Sequence, residues 1–260
     1  MSCDGLRDLD LAGVRWEITD RPLMAPAPVA DTSDVPPVRS DSASVIAELG
    51  RGAPSVVPPI APTVAVSLDT VRAMAARPSD MATLNRMIGE FNHPLRNTAT
   101  NTVLPHVGQG ALTIVTDIPS SDDDATGDIL SGPAGELLDK MLLAVGMSRS
   151  DVSIVPMVFW RTPGGRTPTR EELDMSRPFI DRALSLLSPR VILTLGTLPA
   201  MELAGINLAK SHGEPVPMPG MPDATLIPIF HPNYLILKPA AKRDVWNALQ
   251  NMQNILKSHE

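Results

Sequence analysis

Two side chains stand where chemistry is possible. Asp117 lies in TDIPSSDDD (116–124), directly after an apolar run, and His231 follows a second apolar run and precedes Pro232. An acidic loop and an imidazole at the ends of buried strands suit a hydrolase. Asp122, Asp123, Asp124 and Asp128 could also gather a divalent cation, although an acidic, solvated loop is the simpler reading. Lys238 and Lys242 could form a local basic face. Other chemistries are excluded by motif. There is no Gly-x-Ser-x-Gly elbow, no phosphate-binding P-loop and no metal-ligand cluster. Cys3 is the one cysteine, so neither an internal disulfide nor a Cys-based metal or iron–sulfur site can be built.

These residues need a scaffold, and the apolar pattern supplies one from residue 111 onward. Residues 111–117 (ALTIVTD), 152–159, 191–195 (VILTL) and 226–230 are continuous apolar runs, as expected of buried parallel strands. Helical spacing separates them. Leu137, Leu138, Met141, Leu142 and Val145 share one face, and Thr169-Arg170-Glu171-Glu172 reads as a capping box opening a helix to about residue 187. Thr197 starts a short helix with Pro199 in its first turn, and residues 240–257 close the chain as a helix. Four strand–helix alternations predict a three-layer α/β/α sandwich around a central four-stranded, mainly parallel sheet. Ligands of such folds bind beyond the carboxyl ends of the strands. Those ends are Asp117-Ile118-Pro119, Trp160-Arg161, Gly196-Thr197 and His231-Pro232, so four loops converge on one edge.

The rest of the chain reads differently. Residues 1–20 hold a short apolar and acidic segment around Trp16. Residues 21–68 are rich in Pro and Ala and read as a disordered linker, a place where a protein partner could be held. Residues 69–110 lead in helically, with one or two helices between 69 and 91, and the α/β domain occupies 111–260. The net charge of -7 does not advertise nucleic acid; there are 8 basic against 11 acidic residues before position 89, and 14 against 18 after it. No apolar run is long enough to cross a membrane and no leader is recognisable, so a cytoplasmic, monomeric protein is expected.

Several runs taken together resemble a known family. NTATNTV (97–103), GPAGELLDKML (132–142), RTPGGRTPTREEL (161–173), RPFIDRALSLLSPRVILTLG (177–196) and HPNYLILKPAAKRDVW (231–246) are similar, in order and spacing, to the uracil-DNA glycosylase superfamily, in particular its iron–sulfur-containing bacterial and archaeal branch. The similarity spans roughly residues 91–257. It implies an enzyme that flips deoxyuridine out of DNA and hydrolyses its N-glycosidic bond, through an oxocarbenium-like sugar and a departing anionic base. It implies that His231 donates a hydrogen bond to the uracil oxygen and that Asp117, aligned with the family glutamate, positions a water. Ile118, Pro119, Leu130, Pro156 and Gly196 then line the base pocket. Tyr234 and Leu235 belong to a wedge segment (234–237), and Arg166, Lys238, Lys242 and Arg243 face DNA.

The sequence also departs from that family. Thr116 and Ser120 replace the two glycines of the first-strand motif. Leu130 replaces the stacking Phe, Pro156 the base-reading Asn, and Leu237 an Arg. His93, Trp160 and Ser176 stand at cluster-cysteine positions, so no cofactor is expected, and packing around Trp160 is expected to replace the cluster. Two readings follow: a DNA repair glycosylase acting on uracil or a related damaged base, or a family member that has lost catalysis and serves as a DNA- or protein-binding module. A hydrolase on another substrate is a third.

Overall fold

The computed structural model describes residues 67–258; the N-terminal segment and most of the Pro/Ala-rich stretch lie outside the described residues. Helix α1 (Leu68–Ala75) is capped by the Ser67 hydroxyl, which accepts from the Thr70 N–H, and α2 (Met81–Glu90) is capped in the same way by Asp80. Then follow β1 (Leu112–Thr116), α3 (Ser121–Thr126), α4 (Pro133–Ala144), β2 (Val152–Pro156), α5 (Arg170–Leu187), β3 (Val191–Leu195), α6 (Thr197–Ala204), α7 (Leu208–Ser211), β4 (Val216–Met218), β5 (Met221–Ile229), α8 (Pro232–Leu237) and α9 (Lys242–Lys257).

The sheet has five strands in the order β2-β1-β3-β5-β4, one more than the sequence predicts. The added strand, β4, pairs antiparallel with β5 at the edge. Its three residues include Pro217, which donates nothing to a ladder and is tolerated only at an edge, so no sequence pattern announces it. The other four strands are parallel. The capping box at the start of α5 is formed: the Thr169 hydroxyl accepts from the Glu172 N–H and the Glu172 carboxylate from the Thr169 N–H.

Alternate side chains of each strand feed two cores. Val115, Val155 and Ile192 pack with α1, α2 and α5 through Leu84, Ile88, Phe179 and Leu184. Ile114, Ile154, Leu193 and Ile229 pack on the other face with Leu138 and Leu142 of α4 and with Val245, Leu249 and Met252 of α9. Each fully buried aliphatic side chain contributes roughly 1.5–3 kcal/mol, which is what holds the two helical layers to the sheet. The chain passes from β1 to β2 on one side and returns to β3 on the other. The sheet therefore changes winding direction between β1 and β3, and the crevice beyond that point is where such folds hold ligands.

Candidate active site

The crevice is built from the ends of β1, β3 and β5. After β1, the Asp117 carboxylate accepts from the Ile118 N–H at 3.0 Å. Burial pushes its pKa up against the opposing pull of that hydrogen bond. Ile118 is half-buried and Pro119 buried beside it. After β3, Gly196 takes φ +100°, a conformation that side chains resist. A Cβ placed there would lie 3.5 Å from Asp117 Oδ2 and 3.5 Å from His231 Cβ. Gly196 thus lies against both side chains.

After β5, His231 caps α8, its Nδ1 accepting from the Asn233 N–H at 3.1 Å. A ring nitrogen that accepts carries no proton, so the proton of the neutral ring resides on Nε2. That atom lies 3.2 Å from Thr116 Oγ1, which accepts from it. Burial lowers the His231 pKa to about 4, a nearby Asp123 charge opposing it only in part. At neutral pH the imidazole is an uncharged donor with one committed proton.

The other predicted residues fall around this centre. Pro156 ends β2 as the register partner of Thr116 and is buried. Leu130 is buried at φ +52°, packed in the core beneath α4, with its carbonyl held by Arg149 at 3.0 Å. Leu235 is also buried, at 1 % exposure, and anchors α8 to the core. Tyr234, Ile236 and Leu237 form the exposed apolar surface of that segment. Lys238, at the C-terminal cap of α8, and Arg243, in the first turn of α9, are exposed; Lys242 is half-buried, its pKa lowered by burial and by Lys140. Arg166 is exposed but engaged, donating to both Glu172 carboxylate oxygens at 2.8 and 2.6 Å.

The acidic stretch is not a solvated loop. Residues 121–126 form α3, and Asp123 is buried at 3 % exposure. Its carboxylate accepts from the N–H groups of Ser120 and Ser131 and from the Ser131 hydroxyl. Asp124 accepts from the N–H groups of Thr100 and Asn101. These acids satisfy orphan backbone donors, a role that charge counting does not reveal. Ser120 caps α3 with ordinary extended backbone, so the position needs no glycine here. Among the described residues no group of three or more His, Cys, Asp or Glu is placed to hold a metal ion, and no helix is long and apolar enough to cross a membrane.

Two features escaped the sequence reading. One is the Thr116–His231 hydrogen bond. The other is a ladder of rings, His212 on Phe230 at 4.2 Å and Phe230 on Tyr234 at 4.8 Å, which braces the exposed tyrosine. Two surface concavities lie elsewhere, about 500 Å³ between α1 and α5, and about 590 Å³ beside Leu130 and Arg149. The arginines of the first already serve Asp174, Asp181, Glu202 and the Pro78 carbonyl.

The family model described as Uracil DNA glycosylase superfamily matches residues 107–250 of this chain, which hold the whole crevice. The chain belongs to this superfamily. It is similar to the type-4 uracil-DNA glycosylase of Thermotoga maritima, 35% identical over 171 residues that cover 65% of this chain and 80% of the relative. It is also similar to the type-4 uracil-DNA glycosylases of Archaeoglobus fulgidus (31% over 160 residues, 58% and 79% covered) and Pyrobaculum aerophilum (36% over 137 residues, 50% and 69% covered).

An iron–sulfur cluster takes thiolates, and His93, Trp160 and Ser176, which the sequence resemblance sets at cluster positions, do not fit one. His93 stacks on Trp160 with ring centroids 4.8 Å apart, and Ser176 lies 3.4 Å from His93 Nε2. The three are buried together. His93 Nδ1 accepts from the Leu95 N–H, its Nε2–H donates to the Glu172 carbonyl, and Trp160 Nε1 donates to Thr102. Phe91, Phe159 and Phe179 complete the packing. Every polar atom of both rings is already spent, and no thiolate stands among them.

Proposed function

We propose that this protein is a DNA repair glycosylase that hydrolyses the N-glycosidic bond of a flipped uracil or related damaged base, without an iron–sulfur cluster. One observation carries the reading. A neutral His231, protonated on Nε2, and Asp117 both lie against Gly196 at the switch point of the sheet. The exposed Tyr234, Ile236 and Leu237 are suited to enter the stack, and Lys238 and Arg243 to hold phosphates beside it. As the bond between sugar and base breaks, its electrons move onto the base. An uncharged His231 donor aimed at the base oxygen strengthens its hydrogen bond as that charge grows. The Asp117 carboxylate faces the electron-poor sugar carbon and orients the attacking water. Its raised pKa suits it to receive the proton that the water releases.

The test is incubation with a single-stranded oligonucleotide containing one uracil, followed by alkaline cleavage. His231→Ala and Asp117→Asn are expected to lose cleavage while keeping DNA binding. Absence of any strand break with the unaltered protein at high concentration would refute excision. A second reading, a DNA-binding module without catalysis, is favoured by Pro156, which presents no polar group where a base edge is read. Retained gel shift without cleavage would establish it.

A further inference from the structure

The proton that His231 needs for a base oxygen is already bound, by Thr116 Oγ1 at 3.2 Å. The two residues are 115 positions apart in sequence, and their strands are not neighbours, since β3 lies between β1 and β5. Adjacent strands lie about 4.8 Å apart, so the two side chains and the bond between them together bridge about twice that distance. Gly196, at the end of β3 between them, lies against His231. Thr116 is buried at 3 % exposure, and its register partner on the other side is Pro156, which has no polar side chain. The Thr116 hydroxyl is thus directed to His231 by default.

Resting on the glycosylase reading, we propose that Thr116 is a positioning and specificity-determining residue, whose hydroxyl latches the Nε2 proton of His231 until an oxygen of the incoming base displaces it. The latch keeps the buried N–H satisfied in the empty site, where an unpaired donor is costly. It also sets a condition on the ligand. Only a ring presenting an acceptor there, an oxygen or an unprotonated ring nitrogen, can take over the proton; an amino group, itself a donor, cannot. The displacement weakens substrate and transition state equally, so it acts on KM and not on kcat.

Thr116→Val keeps the shape and removes the acceptor, whereas Thr116→Ser keeps the hydroxyl. Thermal melts of both check folding. With a uracil-containing oligonucleotide, Thr116→Val is expected to lower KM about five- to ten-fold at unchanged kcat, the weight of one lost hydrogen bond, and Thr116→Ser to behave as the unaltered protein. In parallel, the His231 Hε2 resonance of the isotope-labelled chain is expected downfield and slowly exchanging in the unaltered protein and Thr116→Ser, and shifted and broadened in Thr116→Val. A fall in kcat at unchanged KM in Thr116→Val overturns the latch and makes the hydroxyl a participant. An Hε2 signal indifferent to Thr116→Val overturns it whichever way cleavage reads. If none of the three forms releases uracil while the resonance responds, the hydrogen bond stands and the glycosylase reading falls.

Discussion

His231 ties the chemistry of the site to the stability of the fold. In the unfolded chain its ring titrates near 6.5; in the folded protein burial holds it at about 4. Between those values the unfolded chain binds a proton that the folded chain refuses, so stability rises with pH across this window and is level above it. The difference of about 2.5 pKa units corresponds to about 3 kcal/mol lost as pH falls from 7 to 4. Other groups add to this slope, notably His93 and His212, whose pKa values burial also lowers. The comparison that isolates the residue is urea unfolding of the unaltered protein and of His231→Asn at pH 7, 5 and 4. The unaltered protein is expected to lose about 3 kcal/mol more than the variant on going from pH 7 to 4. A proton-detected titration of the His231 ring gives the midpoint directly. A midpoint above 6, or equal slopes in both proteins, would refute the argument and with it the claim that the donor is neutral.

Three further outcomes are expected. Glu172→Gln removes the carboxylate that caps α5 and holds Arg166; the Arg166 guanidinium lowers the Glu172 pKa to about 2. With Arg166 solvent-exposed, the loss is about 2 kcal/mol at pH 7 by chemical unfolding. It is fully present above pH 4.5 and vanishes as pH falls through 2, so variant and parent should converge there. Trp160→Ala empties the aromatic cluster around His93 and should cost about 3–5 kcal/mol in urea, while the iron content of both forms, measured by elemental analysis, is expected to stay at background. Leu237→Arg restores a cation on an exposed position of α8 and should steepen the salt dependence of single-strand binding, measured by fluorescence anisotropy, by about 0.7 in the log–log slope.

The parallel strands were legible because burial on both faces demands unbroken apolar runs; residues 191–195 match β3 residue for residue. The start of α5 was legible because a capping box is a local motif. β4 was not, since three edge residues with a proline carry no pattern. Asp117 and His231 could be placed at strand ends from sequence, and the family resemblance supplied their roles. The Asp123 carboxylate was misread because the Ser120–Asp123 capping box was taken for solvated loop, and because its other partner, Ser131, is brought back only by the turn after α3. The Thr116–His231 bond depends on strand order, which is not written in any local stretch of chain.

The stitching around Asp123 and Asp124 has a mechanical consequence. One carboxylate closes the turn from Ser120 to Ser131, and the next fastens it to the backbone at Thr100 and Asn101. To swing this wall outward, several charge-assisted bonds must break together, and no glycine hinge interrupts residues 117–126. The crevice therefore has one stationary jaw. On the glycosylase reading, a guest must fit this wall as it stands, whatever the loops after β3 and β5 do.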